Sequence, residues 1–97
     1  MIVGLTIARI VPGGGQALSY TGTAGVSNAV AASATFVRLV STTDCFVEIT
    51  VAGASAVANT GFFLPAYTPE YFECSASAKV SAIQASAAGT LYISYGG

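Results

Sequence analysis

The chain has 97 residues, of which charged side chains make up only 7%, and its formal net charge is −1. A soluble domain usually carries about 25% charged residues. The three basic residues cannot form the clustered positive surface that nucleic-acid binding requires. The chain also has no histidine, the usual general base near neutral pH. The composition therefore argues against a nucleic-acid partner and against an enzyme.

Hydrophobic residues make up 54% of the chain, which excludes the polar, highly charged composition of disordered segments. The apolar stretches are repeatedly broken by Ser, Thr, Gly or a charge, and none approaches the roughly 20 residues that span a bilayer. The N-terminal apolar stretch contains Arg9 and is not preceded by basic residues, so it does not fit a signal peptide. We expect one domain over residues 1–97, with no membrane partner.

The scarcity of charge has a consequence for the surface. A monomer of this size exposes roughly 5,100 Å², and seven charged side chains, three basic and four acidic, cover only a small part of it. Soluble monomers normally intersperse charges of both signs over their surface. We therefore expect obligate assembly, in which copies of the chain or a larger scaffold cover much of the surface. The alternative is a monomer solvated by Ser and Thr.

The first sixteen residues show alternation followed by a break. A strand is predicted over Ile2–Val11, because large apolar residues alternate with small or polar ones over residues 3–8. The following Pro12–Gly15 is predicted to end this strand and form a flexible corner. Residues 1–16 are thus predicted to be an N-terminal arm or edge strand with a Gly-rich corner. The apolar residues on one face are Val3, Leu5 and Ile7.

Seven further segments show strand patterns separated by turn residues. The clearest is Cys45–Val51, in which apolar residues alternate with Phe46, Glu48 and Thr50. Residues 28–34 are Ala-rich and fit either a helical turn or an extended segment. Eight short strands at this spacing predict an all-β, single antiparallel β-sandwich of the jelly-roll type, with an immunoglobulin-like sandwich as the alternative. The other predicted strands are Leu18–Thr23, Thr35–Ser41, Phe62–Leu64, Glu70–Cys74, Lys79–Gln84 and Thr90–Tyr95.

The sequence offers no convincing catalytic, cofactor or metal site. The two cysteines, Cys45 and Cys74, are predicted to be buried thiols, with a disulfide as the alternative. Glu70 and Glu73 are three apart on a strand and therefore point to opposite faces, unlike the paired carboxylates of a glycosidase. Asp44 is predicted to stabilise a turn. We expect no enzyme activity, no cofactor and no bound metal.

Aromatic residues are concentrated within residues 62–72. Because Phe62 and Phe63 are adjacent on a strand, we expect one in the core and the other exposed or covered by a partner. The loop that follows is stiffened by Pro65 and Pro69, which suits a preformed contact. The alternative is that these aromatics only fill the core. The predicted interface residues are Ile2, Val3, Leu5 and Ile7 of the N-terminal strand, with Phe62, Phe63, Tyr67 and Tyr71.

Over roughly residues 36–95 the chain resembles small virion proteins of tailed bacteriophages. The likeness rests on the segments RLVSTTDC (38–45), LPAYTPEYF (64–72), KVSAIQ (79–84) and GTL (89–91). The resemblance implies a non-enzymatic structural protein with a β-sandwich or jelly-roll fold. Several such proteins of similar size are capsid decoration or cement proteins, but the resemblance does not distinguish the head from the tail or a fibre. Together with the scarcity of charge, it leads us to expect a decoration or cement protein on the capsid exterior, made in the host cytoplasm. Its expected partners are itself, as a homo-oligomer such as a trimer, and the major capsid protein.

Other functions fit parts of the same pattern. A tail, fibre or head-vertex subunit would differ from a decoration protein in its copy number. A small carbohydrate-binding module on the virion would place Tyr67, Tyr92 and Tyr95 over sugar rings. Within the decoration hypothesis, the N-terminal strand is expected to add to the sheet edge of a neighbour.

Overall fold

The computed structural model describes residues 10–57 and 59–97, with side chains from residue 14 onward. Eight β-strands form over these residues. The same described residues contain no helix long and apolar enough to cross a membrane. The strands are β1 (Ile10–Tyr20), β2 (Gly25–Val26), β3 (Phe36–Ser41), β4 (Cys45–Thr50), β5 (Phe62–Leu64), β6 (Glu70–Glu73), β7 (Lys79–Gln84) and β8 (Gly89–Gly96).

The strands form two four-stranded antiparallel sheets. Sheet 1 has the order β1-β8-β3-β6, and sheet 2 has the order β2-β7-β4-β5. The pairing is nested, since β1 pairs with β8, β2 with β7, β3 with β6, and β4 with β5. Such nesting arises when one long hairpin folds over on itself into two sheets, which is the jelly-roll arrangement. The predicted jelly-roll sandwich is therefore confirmed, and the immunoglobulin-like alternative, with its different division of strands, is wrong.

The core lies between the two sheets and follows from the alternation of each strand. On β3, Val37 and Leu39 point inward and are fully buried, while Arg38 between them points outward. Inward-facing residues of β4, β7 and β8 complete the apolar layer. The remaining fully or almost fully buried apolar residues include Tyr20, Cys45, Val47, Leu64, Val80, Ala82, Leu91 and Ile93.

The N-terminal prediction needs correction. The Pro12–Gly15 segment is not a corner between two strands, because β1 runs through it from Ile10 to Tyr20. The segment instead contains a register shift. Ile10 and Gly15 are five residues apart on β1, but their pairing partners are only two residues apart on β8. A proline and an irregular register are tolerated here because β1 is an edge strand of sheet 1. Residues 28–34, for which the sequence fits either a helical turn or an extended segment, form no helix and contain a single tight turn in which Ala34 N donates to Ala31 O at 2.9 Å.

Four loops meet at one end of the sandwich, which we call the loop end: residues 21–24, 42–44, 65–69 and 85–88. Backbone hydrogen bonds join them, from Gln84 N to Thr21 O at 3.0 Å and from Ala85 N to Asp44 O at 3.1 Å. The Asp44 side chain also bonds the 65–69 loop. This network fixes the position of the loop between β5 and β6 relative to both sheets.

Candidate functional site: an exposed aromatic segment

The most unusual surface of the molecule is residues 62–72, which we call the aromatic segment. It comprises β5, the 65–69 loop and most of β6. β5 is an edge strand of sheet 2, and β6 is an edge strand of sheet 1. Its exposed aromatic side chains are Phe62 (50%), Phe63 (44%), Tyr67 (71%) and Tyr71 (57%). One side of the sandwich is therefore aromatic, whereas such large apolar groups are normally withdrawn from water.

Phe62 and Phe63 point to opposite faces of sheet 2, as predicted. Phe63 pairs with Phe46 on the outer face, with ring centroids 5.4 Å apart. Phe62 faces sheet 1 and packs edge-on against Phe72 of β6, with ring centroids 4.8 Å apart. The expectation that one of the two is a core residue is wrong, because both are exposed. Phe62 lies at the start of the edge strand β5 and stays half exposed, whereas Leu64, two residues further along the same face, is fully buried.

Tyr67 stands at the tip of a loop with a constrained backbone. Its φ of 56° lies in the left-handed region, which costs a non-glycine residue on the order of 1–3 kcal/mol. Two hydrogen bonds hold the loop in place: Tyr67 N donates to Ser41 O at 2.7 Å, and Ala66 N donates to Asp44 Oδ1 at 2.8 Å. The sequence predicts that Asp44 stabilises its own turn. Its side chain instead fixes a loop that is distant in sequence. These contacts fix the backbone at Tyr67, whose ring is exposed.

Charged residues flank the aromatic segment. Tyr71 lies on the outer face of sheet 1, against Phe36 and directly opposite the half-buried Arg38. Glu70 pairs with a core residue of β3, and Glu73 pairs with an outward-facing residue of β3. The two glutamates therefore point to opposite faces of sheet 1, as predicted. They therefore do not converge into a pair of the kind that cleaves glycosides. They place carboxylates on both sides of Tyr71 along β6.

The other predicted site residues are the N-terminal apolar residues and two further tyrosines. Ile2, Val3, Leu5 and Ile7 lie outside the described residues. Tyr92 is exposed on the outer face of sheet 1, whereas Tyr95 is half-buried against the core. Tyr67 lies at the loop end, so the three tyrosines of the predicted carbohydrate site do not form one surface.

Sequence reasoning missed an apolar row that extends the aromatic segment. Phe46 of β4 pairs with Phe63 on one side and with Ile83 of β7 on the other. All three side chains point outward from sheet 2, and Phe46 and Ile83 remain partly exposed. The alternation of β4 indicates that Phe46 faces outward. Which strands flank β4 is set by long-range pairing, which the alternation does not contain.

The cysteines are both free thiols, Cys45 buried and Cys74 half-buried. Burial raises the pKa of both thiols, and for Cys45 the neighbouring Ser41 and Tyr20 hydroxyls offset part of that rise. Raised pKa values keep the thiols protonated and unreactive at neutral pH. Within residues 10–57 and 59–97, no three His, Cys, Asp or Glu side chains cluster as metal ligands.

No family model, no curated protein and no solved structure matches this chain. The aromatic segment offers exposed aromatic rings, a loop whose backbone is fixed by hydrogen bonds, and flanking carboxylates. Large, rigid aromatic side chains are the residues that most often supply binding energy at protein interfaces.

Proposed function

We propose that the chain is a non-enzymatic structural protein of a tailed-bacteriophage virion. It binds the exterior of the assembled capsid as a decoration or cement protein. The observation that carries this proposal is the exposed aromatic segment on a chain with only 7% charged residues. Such a surface is unfavourable in water unless another protein covers it. The jelly roll supports the proposal only as a scaffold, since the same fold hosts unrelated functions.

Stabilisation of the capsid follows from selective binding. A protein that binds the assembled lattice, and not its dissociated subunits, shifts the assembly equilibrium by mass action. The partners in this proposal are the major capsid protein and further copies of the chain, arranged as a trimer or another small ring. Residues 1–9 precede edge strand β1 and would contact a neighbour by adding to its sheet edge.

The copy number per particle is the decisive measurement. Quantitative mass spectrometry of purified particles of the encoding phage should find this chain in hundreds of copies, as expected for a component of the shell. A dozen copies or fewer would instead identify a vertex, tail or fibre subunit and would contradict the decoration function. Absence from the particle would overturn the virion proposal altogether.

The role of the N-terminal residues is tested by deletion. A chain lacking residues 1–9 keeps β1 from Ile10 and should retain the fold. We expect this variant to be lost from particles on washing, because it cannot pair with its neighbour. Full occupancy of the shell by the shortened chain would show that the arm has no part in binding.

A further inference from the structure

We propose that the aromatic segment docks into an apolar recess on a different protein chain, and that Lys or Arg side chains line the rim of that recess. This inference rests on the proposed function and specifies the chemistry of the surface that the chain would recognise on the capsid. Three observations carry it: the rigidity of the Tyr67 loop, the charge around the segment, and the short edge strands that bear it.

The rigidity of the loop favours Tyr67 as the central anchor. Its backbone is held by hydrogen bonds from Tyr67 N to Ser41 O and from Ala66 N to Asp44 Oδ1, both at or below 2.8 Å. The side chain is 71% exposed, the largest exposure among the exposed large hydrophobics. A loop whose backbone is already fixed loses little backbone conformational entropy on docking. The Tyr67 ring therefore requires a matching apolar recess rather than a flat polar surface.

The charge around the segment favours a basic rim. Asp44, Glu70 and Glu73 adjoin it, which are three of the four carboxylates in the chain. Arg38 is the one cationic side chain in register with β6, so these four groups have a formal charge of −2. Lys79 lies apart, paired with Thr50 at the opposite end of sheet 2. Complementary positive charge on the partner would pair with this rim.

The same charge argues against a second copy as the occupant. In a two-fold symmetric dimer each segment faces itself, so −2 would oppose −2 across the contact. Like charges brought together across an interface disfavour the contact. Backbone pairing is also disfavoured, since β5 has three residues and is followed by Pro65, and β6 has four and is preceded by Pro69. Side chains, not strand edges, carry the contact.

The experiment measures binding of the purified full-length chain to capsids of the encoding phage assembled without it, by co-sedimentation. Tyr67→Asn removes the ring but keeps a residue that tolerates positive φ. We expect it to weaken binding about 30-fold. The matched control, Tyr92→Asn, alters an exposed tyrosine outside the segment and should change affinity less than about twofold. Thermal unfolding of each variant confirms that it is folded.

The basic rim is tested with salt and with Glu73→Gln, which removes an exposed charge with little change of shape. We expect wild-type affinity to fall between about 50 mM and about 500 mM NaCl. Glu73→Gln should weaken binding about threefold at low salt and flatten the salt dependence. Unchanged or tighter binding by Glu73→Gln would overturn the basic rim.

Other outcomes separate this inference from the proposed function. If the wild type binds but Tyr67→Asn and Tyr92→Asn bind equally well, the docking surface is wrong and the decoration function stands. If the wild type binds no capsid, both are wrong. A concentration-dependent dimer that Tyr67→Asn abolishes would identify a second copy as the occupant and overturn the inference.

Discussion

The loop end owes its geometry to a small polar cluster around the buried Tyr20. The Tyr20 hydroxyl lies 2.8 Å from Thr43 O and 2.7 Å from Thr43 Oγ1. Thr42 Oγ1 accepts a hydrogen bond from Thr90 N at 2.9 Å. Gly89 lies directly beneath these oxygens, where a side chain would have no room. The cluster ties β1, the 42–44 loop and the start of β8 together close to the loop that carries Tyr67.

Substituting Gly89 tests this packing. A Cβ at residue 89 would clash with Thr43 Oγ1 and lie 2.6 Å from the Tyr20 hydroxyl oxygen. Gly89→Ala should therefore displace the cluster and destabilise the fold by about 2–4 kcal/mol, measured by chemical denaturation. In the control Gly22→Ala, the nearest atom to the new Cβ is 3.7 Å away, so stability should change by less than about 1 kcal/mol. Equal losses in the two variants would contradict the packing argument.

The buried thiol of Cys45 predicts how stability depends on pH. Burial raises the pKa of Cys45 above the ordinary 9.0, so the folded chain keeps a proton that the unfolded chain loses as pH rises. The unfolded state then binds fewer protons, and stability falls with increasing pH. The contribution is fully present below pH 9.0 and is lost as pH rises through the folded-state pKa.

Denaturant midpoints from about pH 7 to about pH 11 measure this dependence. Cys45→Ala should flatten the decline above pH 9.0, whatever its effect on stability at neutral pH. Cys74, half-buried, also has a pKa raised by burial, and Cys74→Ala should flatten the decline less because its thiol is more accessible to water. A wild-type curve that stays level above pH 9.0 would contradict the prediction.

Between elements, the contact of Phe62 with Phe72 joins the edges of the two sheets. No backbone pairing connects β5 with β6, so this edge-on contact of the rings, with centroids 4.8 Å apart, closes the sandwich on that side. A double-mutant cycle with Phe62→Ala and Phe72→Ala should give a coupling energy of about 0.5–1.5 kcal/mol. The cycle of Phe62→Ala with Tyr92→Ala should be additive, because Tyr92 lies on the outer face of sheet 1.

The sequence predicts an element well when the residues that determine it are close together in the chain. Alternation placed β5 and β7 at their observed bounds and β4 within one residue, because inward and outward positions of a strand repeat every two residues. It fails at Pro12–Gly15, where β1 continues across a register shift although these residues normally end a strand. The sequence predicts Tyr67 as an interface residue but does not predict its left-handed backbone, because Asp44 and Ser41, distant in sequence, hold it.

At the scale of the whole molecule, apolar exposure is not limited to the aromatic segment. Val26, Val51 and Val57 are also exposed, at 41%, 55% and 59%. Val26 lies in β2, Val51 directly follows β4, and Val57 lies in the loop between β4 and β5. The formal charge of −1 gives little electrostatic repulsion between molecules. The free chain therefore has apolar contacts available for self-association in addition to the surface proposed to bind the capsid.

The two kinds of association should respond to salt in opposite directions. Self-association through exposed valines is driven by apolar burial, so it should strengthen or stay level as NaCl is raised, whereas capsid binding through the acidic-flanked segment should weaken. Sedimentation velocity over a concentration series measures the first, and co-sedimentation with capsids measures the second. Val51→Lys with Val57→Lys should shift the free chain toward monomer and leave capsid affinity within about threefold. If these substitutions leave self-association intact while Phe63→Ser abolishes it, the aromatic segment itself covers neighbouring copies, and the assignment of separate surfaces is wrong.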